Sequence, residues 1–263
     1  MACHRGPIFA LRWSPCGKYV LTAGVDRSTI VCDSISGKQK QQFHSHESPA
    51  LDIDWVSEDT FASCSRDAKI HVCQLGSGAP LRTYRQHTSE VNAVRYHQLS
   101  NRLASCSDDR TIKIWSLDAD EAIHSFDKHT REIYTIRWSP VGHILASASF
   151  DKTVRLWETD QGREKALLRG HTAVVYALAF GPSGNVIASG GADRSVIIWD
   201  CKSAHPLTIL RGRRADGGIF DLSINRTGEK LAACTADGAI ILLDLRFLKM
   251  CAHDGTVLPL SCS

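Results

Sequence analysis

An aspartate that recurs about every 42 residues is the feature that most restricts what this chain can fold into. A short alternating apolar stretch follows each copy, and the copies are Asp26, Asp67, Asp109, Asp151, Asp193 and Asp237. A histidine lies 21 or 22 residues before each of the first five, at His4, His46, His87, His129 and His171. A fixed period of this length is typical of repeat architectures. Six units therefore fill almost the whole chain of 263 residues and leave no room for a second domain.

Within each unit, apolar and polar residues alternate with a period of two, which is typical of half-buried β-strands. The fourth unit contains EIYTIRWSP, ILASAS and TVRLW, separated by turn residues, and a further apolar segment over 166–168. The sequence therefore predicts four short strands per unit and no helix of useful length. No apolar run reaches the roughly 18 residues that span a bilayer, so no membrane partner is expected.

Repeated four-stranded sheets without helices favour a β-propeller, in which neighbouring sheets cover one another. Two stretches carry a more specific pattern: GHTAVVYALAF followed by IASGGADRSVIIWD, and HTSEVNAVRY followed by LASCSDDRTIKIWS. These stretches resemble the repeats of WD40 proteins. The resemblance implies an all-β WD40 β-propeller of six four-stranded blades over residues 4–246.

Residues 247–263 follow no repeat, and we interpret them as a C-terminal tail. Its segment 256–260 could supply an outer strand to the last blade, where Pro259 would restrict it to an edge because proline has no amide hydrogen. Six blades lie within the usual range for closed propellers. A closed ring and an incompletely closed arc remain alternatives.

A hydroxyl and a tryptophan stand at fixed distances from the repeated aspartate. Serine or threonine lies four residues before it and tryptophan six residues after it, and the complete sets are His87, Ser105, Asp109 and Trp115; His129, Ser147, Asp151 and Trp157; and His171, Ser189, Asp193 and Trp199. Cys32 and Cys73 replace the tryptophan in units one and two, while unit six keeps only Asp237.

Ser, His and Asp together suggest a hydrolase. An active site is a single strained place, however, and five near-copies in one chain are not. We therefore expect a structural hydrogen-bond network, no catalytic residue and no cofactor. The chain also has no Gly-rich phosphate loop and no lone nucleophile in a recognisable motif, so an enzyme is not expected.

Several of the ten cysteines occupy repeat positions. Cys64, Cys106 and Cys234 lie three residues before an aspartate, which predicts small buried side chains. No C-x-x-C pair occurs, so the sequence indicates reduced thiols in an intracellular reducing compartment and no metal site. A net charge of +3 is too small to indicate nucleic acid as a partner.

Counting from each histidine assigns core and rim positions in the first strand. Positions seven and nine are expected in the core, with Leu11 and Trp13 as the members in unit one. Position five opens the innermost strand, and its members are Phe9, Leu51, Asn92, Tyr134, Tyr176 and, by matching GGIFDL to GPIFAL, Phe220. The aromatic members could form a collar at one mouth of the channel, and packing between blades is the alternative.

The residue before each aspartate varies most in chemistry, which indicates a solvent-facing rim position. Its members are Val25, Arg66, Asp108, Phe150, Ala192 and Ala236. The predicted partner-binding residues at the channel mouth and rim are therefore Phe9, Arg66, Asp108, Tyr134, Phe150, Tyr176 and Phe220. We expect proteins or peptides as partners and no small-molecule substrate. A loop with Arg211, Arg213 and Arg214 could meet acidic partners or simply be solvated.

Several stretches resemble the transducin beta-like protein 1 family more closely than the general repeat requires. They include GPIFALRW (6–13), TFASCSRDAKIHVCQLG (60–76), LASASFDKTVRLWE (145–158) and GGIFDLSIN (217–225). The resemblance implies a nuclear adaptor of corepressor complexes that contain a histone deacetylase. It also implies that Phe9, Tyr134, Tyr176 and Phe220 lie on the face offered to partners.

Other functions remain open beside a transcriptional scaffold. The propeller could recognise substrates for a ubiquitin ligase, or it could be a general cytoplasmic scaffold. A G-protein β-like subunit would require an N-terminal coiled-coil helix, which this sequence does not show. The family's oligomerisation and F-box-like segments are not seen either, and we expect a shortened or divergent member.

Overall fold

The computed structural model describes residues 3–212, 217–246 and 258–259, and in them it forms six sheets and no α-helix. The expected all-β architecture of the WD40 β-propeller class is confirmed, with antiparallel sheets that repeat along the chain. Two compact units divide the chain, Met1–Lys128 and His129–Ser263. No helix in the described ranges is long and apolar enough to span a membrane.

The first unit contains three four-stranded sheets, each formed by four consecutive strands in sequence order. The first sheet comprises β1 (Ile8–Trp13), β2 (Tyr19–Gly24), β3 (Thr29–Asp33) and β4 (Gln39–Phe43). The second comprises β5 (Ala50–Trp55), β6 (Thr60–Ser65), β7 (Ile70–Gln74) and β8 (Arg82–Tyr84). The third comprises β9 (Val91–His97), β10 (Arg102–Ser107), β11 (Ile112–Ser116) and β12 (Ala122–Phe126).

The second unit contains the remaining three sheets. The fourth sheet comprises β13 (Ile133–Trp138), β14 (Ile144–Ser149), β15 (Thr153–Glu158) and β16 (Arg163–Arg169). The fifth comprises β17 (Val175–Phe180), β18 (Val186–Gly191), β19 (Ser195–Asp200), β20 (Pro206–Arg211) and β24 (Leu258–Pro259). The sixth has three strands among the described residues: β21 (Ile219–Ile224), β22 (Lys230–Thr235) and β23 (Ile240–Asp244).

In the first five sheets the second strand is buried on both faces, which explains its many small side chains. In β6, Phe61 packs with Leu21 of the first sheet. The next residue, Ala62, points the other way and packs with Val94 of the third sheet. Because successive side chains of a strand alternate between the two faces, one strand joins two apolar cores. The same arrangement in the second unit connects the fourth, fifth and sixth sheets.

The C-terminal strand differs from its expected place. Leu258 and Pro259 pair in parallel with Leu210 and Arg211 at the edge of the fifth sheet, not with the sixth. Proline has no amide hydrogen to donate, so an edge position suits it whichever sheet it joins. The rest of the expected tail strand lies outside the described residues, and the boundaries 4–246 and 247–263 stay predictions, as does closure of the six sheets.

The expectation that positions seven and nine lie in the core is wrong for the first of the six sequence repeats. Leu11 and Trp13 are 49% and 61% exposed, although their counterparts Ile53 and Trp55 are buried. Ile53 packs against the preceding sheet of the same unit, where it meets Leu21. Within the first compact unit no sheet comes before the first sheet. The face of β1 that carries Leu11 and Trp13 therefore has no neighbouring sheet of that unit to pack against.

The sixth sheet also has one exposed apolar face. Cys234 is exposed, contrary to its predicted burial, and so are its cross-strand neighbour Ile240 and the nearby Leu242. The opposite face, with Leu231 and Ile241, is buried against the fifth sheet. Cys64 and Cys106 are buried as predicted, and the described cysteines are free thiols.

Candidate functional site

The repeated aspartate closes the turn between the second and third strands of each sheet. In the fourth sheet, Asp151 Oδ1 accepts the backbone N–H and the hydroxyl of Thr153 at 3.0 and 2.6 Å. The intervening residue, Lys152, has a φ of 70°, in the left-handed region. A short acceptor that satisfies the turn's own backbone is what this conformation needs, which explains why aspartate recurs here. Equivalent positive φ values occur at Arg27, Ala68, Arg110, Arg194 and Gly238.

The histidine connects that turn to the second strand. His129 Nδ1–H donates to Asp151 Oδ2 at 2.7 Å, and His129 Nε2 lies 2.7 Å from Ser147 Oγ. Trp157 Nε1–H donates to the same Ser147 Oγ at 2.9 Å. Since Ser147 Oγ accepts the indole hydrogen, its own hydrogen can be donated to His129 Nε2. The predicted chain from indole to hydroxyl to imidazole to carboxylate is confirmed.

The same geometry is repeated in other sheets. The complete sets form in the third and fifth sheets, with indole-to-hydroxyl distances of 2.9 Å for Trp115 and 2.8 Å for Trp199. The first and second sheets keep the histidine bridge, from His4 to Thr22 and from His46 to Ser63, without a tryptophan. In the sixth sheet, Thr235 donates to Asp237 instead. The variation follows the sequence differences between units.

The network holds the pKa of its aspartates low, and burial lowers the pKa of His87 and His129. Burial by itself would raise the pKa of Asp151, but hydrogen bonds from His129, Thr153 and the amide of Thr130 outweigh it and hold the pKa well below its usual range. The pKa of His129 is lowered because burial disfavours the imidazolium, despite the neighbouring carboxylate of Asp151. The same directions and causes apply to Asp109 and His87.

The serines of these sets cannot meet a substrate in this structure. Ser105, Ser147 and Ser189 are completely buried between strands. Each hydroxyl already contacts a histidine and a tryptophan, so no open position is left beside it. The hydrogen-bond networks therefore stabilise the sheets rather than form a candidate active site.

The rim begins with an irregularity in the inner strand of every sheet. In β13, Ile133 pairs with Ser149 and Thr135 with Ala148, so Tyr134 is an extra, unpaired residue. Such a β-bulge redirects a side chain out of the regular alternation. The bulge residues of the other five sheets are Phe9, Leu51, Asn92, Tyr176 and Phe220. The position-five column is thus the set of bulge residues.

A backbone hydrogen bond places the second predicted rim column beside the first. The amide of Phe150 donates to the carbonyl of Glu132 at 2.9 Å, two residues before the bulge at Tyr134. Arg66 and Asp108 make the same bond to Pro49 and to Glu90. The residue before the aspartate therefore lies next to the bulge residue in each of these sheets, as the two columns of the sequence implied.

The second unit gathers four of the predicted residues into one cluster, which we call the aromatic patch: Tyr134, Phe150, Tyr176 and Phe220. The Tyr134 ring centroid lies 6.2 Å from that of Phe150 and 5.3 Å from that of Tyr176. Tyr176 in turn stacks on Phe220 at 4.9 Å. Tyr134 is 42% and Phe220 48% exposed. The rings pack together across three sheets and also present an apolar surface to solvent.

Among the described residues, the rim of the first unit contains paired polar side chains beside an isolated aromatic ring. Arg66 forms an ion pair with Glu90 at 2.6 Å, and Asn92 donates to Asp108 at 2.6 Å. Phe9 is more than half exposed on the first sheet. Sequence reasoning missed Glu90, which could have been found because it stands two residues before the bulge position. It also missed His71, a histidine in the second sheet that contacts the ring of His46.

Comparisons with known proteins agree with this geometry. The family model described as WD domain, G-beta repeat matches residues 1–33, 37–73, 78–116, 120–158 and 162–200. The sixth sequence repeat, which lacks the histidine and the tryptophan, lies outside these matches. The matched ranges cover most of the chain and follow the first five sheets.

The chain is also similar to longer proteins over about a third of its length. F-box-like/WD repeat-containing protein TBL1X of Mus musculus is 55% identical over 93 residues, which are 35% of this chain and 18% of that protein. TBL1Y of Homo sapiens is 56% identical over 93 residues, with the same coverage. WD40 repeat-containing protein HOS15 of Arabidopsis thaliana is 44% identical over 93 residues, 15% of its length.

The alignments thus cover less than a fifth of each relative, and they confirm the resemblance to the transducin beta-like protein 1 family. WD40 proteins of this kind are typically interaction scaffolds rather than enzymes. The repeated Asp–His–Ser/Thr geometry, the six sheets and the family matches agree. The chain therefore belongs to the WD domain, G-beta repeat family of WD40 proteins.

Proposed function

We propose that the chain is a non-enzymatic scaffold that binds a protein or peptide through the aromatic patch of its second unit. One observation carries the proposal: four aromatic rings from three sheets form a continuous, partly exposed surface at the predicted rim. Exposed apolar patches rimmed by polar residues commonly mark interaction sites.

The patch has the properties of a preorganised contact. Tyr134, Tyr176 and Phe220 each stand on a bulge whose flanking residues are paired in the sheet, so their backbones are fixed before a partner arrives. Large, rigid aromatic side chains lose little conformational entropy on binding and frequently dominate interface energies. Phe9, Arg66 and Asp108 are proposed as separate contacts on the rim of the first unit.

The proposed setting is a transcriptional corepressor complex in the nucleus. The similarity to TBL1X and TBL1Y supports this setting, because the family resemblance implies nuclear adaptors associated with a histone deacetylase. The chain aligns with less than a fifth of either relative, so the activity and partners of those whole proteins are part of the proposal. An intracellular reducing environment fits free thiols such as Cys16 and Cys234, which are exposed.

Affinity purification with a matched pair of variants tests the proposal. The tagged full chain and the double variant Tyr134→Ser/Tyr176→Ser are expressed in human cells and purified from nuclear and cytoplasmic fractions. We expect the wild type to co-purify with corepressor subunits and deacetylase activity from the nuclear fraction. The double variant should lose most of this material, since the patch contains both altered rings.

Val141→Ser provides the control, because Val141 is a half-exposed apolar residue of the same unit outside the patch. It should capture the same partners as the wild type. Equal capture by the wild type and the double variant would contradict binding through the patch. Capture of ubiquitin-ligase subunits without deacetylase components would instead favour a substrate receptor.

A further inference from the structure

The second sheet contains a buried group of three possible metal ligands: His46, Asp67 and His71. One donor atom from each side chain lies within 4.8 Å of the others. His46 Nδ1 is 3.0 Å from Asp67 Oδ2, and the rings of His46 and His71 have centroids 4.5 Å apart. The four other sheets that pair a histidine with the aspartate have no second histidine at the equivalent of His71.

His71 has an unsatisfied nitrogen in this group. Its side chain is buried, and its Nε2 has no hydrogen-bond partner. The corresponding residues of other sheets are aliphatic or cationic, namely Ile30, Lys113, Arg155, Ile197 and Ile241. A buried polar atom without a partner costs free energy, so an imidazole here calls for a ligand that the residues around it do not supply.

A hydrogen bond outside the group suits the tautomer of His71 that a metal requires. His71 is the cross-strand neighbour of Ser63 on one side and of Thr83 on the other. Its Nδ1 lies 2.9 Å from Thr83 Oγ1, which can accept the Nδ1 hydrogen. Nε2 then carries a lone pair available to a cation, as in metal-binding histidines whose second nitrogen donates to an outer partner.

The missing tryptophan of this sheet makes His46 adaptable. In sheets three to five, an indole N–H donates to the serine that the histidine contacts, whereas Cys73 occupies the equivalent position here. Ser63 Oγ therefore has a lone pair free for a hydrogen from His46 Nε2, at 2.9 Å. Moving the imidazole proton from Nδ1 to Nε2 would leave His46 neutral and free Nδ1 to coordinate a cation beside Asp67.

We propose that His46 Nδ1, His71 Nε2 and Asp67 Oδ2 form a binding site for one zinc ion. Two imidazoles and one carboxylate are a common zinc donor set, with water able to take the fourth position. Zinc–ligand bonds of about 2.0–2.2 Å require donors about 3.4 Å apart, so the His71 ring must approach by at most about 1.5 Å. Asp67 retains its bonds from the amides of Glu47 and Lys69.

The charge around the site allows a cation. Hydrogen bonds and the neighbouring His46 outweigh burial and lower the pKa of the Asp67 carboxyl to about 2. Two cationic side chains, Lys69 and Arg85, also act on His71, and Lys69 is paired with Glu47 at 2.6 Å. No metal site was expected from the sequence, because the three ligands are separated along the chain and no C-x-x-C pair marks them. Only the cross-strand register brings His71 beside His46.

Calorimetric titration of the purified full chain tests the site. The chain is stripped with a chelator, kept reduced, and titrated with zinc chloride at pH 7.5, with cobalt absorption spectra in parallel. We expect one histidine-dependent zinc per chain, although five sheets contain a His–Asp pair in their network, and a higher melting temperature with zinc. Magnesium and calcium, which prefer all-oxygen ligands, should not compete.

Three variants separate this site from binding by exposed thiols such as Cys16. His71→Ile installs the residue found at positions 30 and 197, and it should weaken zinc binding at least 100-fold. Thr83→Val keeps all three ligands but removes the acceptor for His71, and it should weaken binding about 10- to 100-fold. His205→Gln changes an exposed histidine of the other unit and should bind like the wild type.

Circular dichroism verifies that each variant folds. If His71→Ile does not fold, the zinc affinity of Thr83→Val decides the test. Wild-type zinc affinity in folded His71→Ile, or in folded Thr83→Val when the former is unfolded, would overturn the proposal. So would a folded, reduced wild-type chain that binds no zinc at micromolar concentrations.

Discussion

Tyr176 and Phe220 stack with ring centroids 4.9 Å apart and planes 21° from parallel, although they belong to different sheets. Each is the bulge residue in the first strand of its sheet, so the contact joins the same local irregularity in two successive sheets. The buried hydrogen-bond networks fix the turns near these bulges. The network side chains and the proposed binding side chains are thus separate sets within one repeat.

Removal of one network carboxylate should destabilise the chain. Asp151→Ala leaves His129 Nδ1–H and the amides of Thr130 and Thr153 without their acceptor. We expect the free energy of unfolding to fall by about 1–3 kcal/mol, the cost of unpaired buried groups. Urea denaturation measures this change. Asp127→Ala, at an exposed aspartate, should change it by less than about 0.5 kcal/mol, and equal effects of the two substitutions would contradict the network.

The same substitution should have different costs in the first and second sheets. Trp55 is 6% exposed, while Trp13, at the same repeat position, is 61% exposed. Trp55→Ala should therefore lower the unfolding free energy by about 3–5 kcal/mol. Trp13→Ala should lower it by less than about 1 kcal/mol, because surface substitutions remove little packing. Similar losses in the two variants would mean that the face of β1 is covered in solution.

Acid should destabilise the chain in two stages. Burial lowers the pKa of His87 and His129 in the folded state, so the unfolded chain takes up protons first as the pH falls below 6.5. The carboxylates of Asp109 and Asp151 have depressed pKa values, and their contribution is present above pH 3.8 and lost as the pH falls further. We therefore expect the unfolding free energy to decrease from pH 7 to 5 and again below pH 4.

Urea denaturation at pH 7.5, 6.5, 5.5 and 4.5 measures the first stage. The double variant His87→Gln/His129→Gln provides the comparison, because it lacks two of the groups that titrate there. Its stability should depend less on pH between 6.5 and 4.5, by at most about 1.4 kcal/mol per pH unit for each histidine. A wild-type unfolding free energy that stays constant or rises as the pH falls from 6.5 to 4.5 would contradict a lowered pKa for these two histidines.

The repeated features of the fold were predictable from the sequence. A period of 42 residues and the alternation of apolar residues predicted six sheets, and the fixed spacing of His129, Ser147 and Asp151 predicted their hydrogen bonds. Each of these depends on local spacing, which the chain repeats five times. The rim columns were also identified by spacing, since Tyr134 and Phe150 occupy equivalent positions in their units.

Features that depend on non-local cover were not predictable. The pattern around Trp13 matches that around Trp55, and only the absence of a preceding sheet in the first unit distinguishes their exposure. Cys234 is exposed although Cys64, at the same repeat position, is buried, and the sequence around the two cysteines does not distinguish them. The pairing of Leu258 with the fifth sheet, and the approach of His71 to His46, depend on strand register that no single segment encodes.

A parallel measurement of partner capture and melting temperature in two variants tests the central claim, that the rim binds and the network stabilises. Tyr134→Ser/Tyr176→Ser should lose most of the captured partner and keep a melting temperature within a few degrees of the wild type. Asp151→Ala should melt at least several degrees lower and still capture partner in proportion to its folded fraction. Unchanged capture by the rim variant, or lost capture by fully folded Asp151→Ala, would contradict the account.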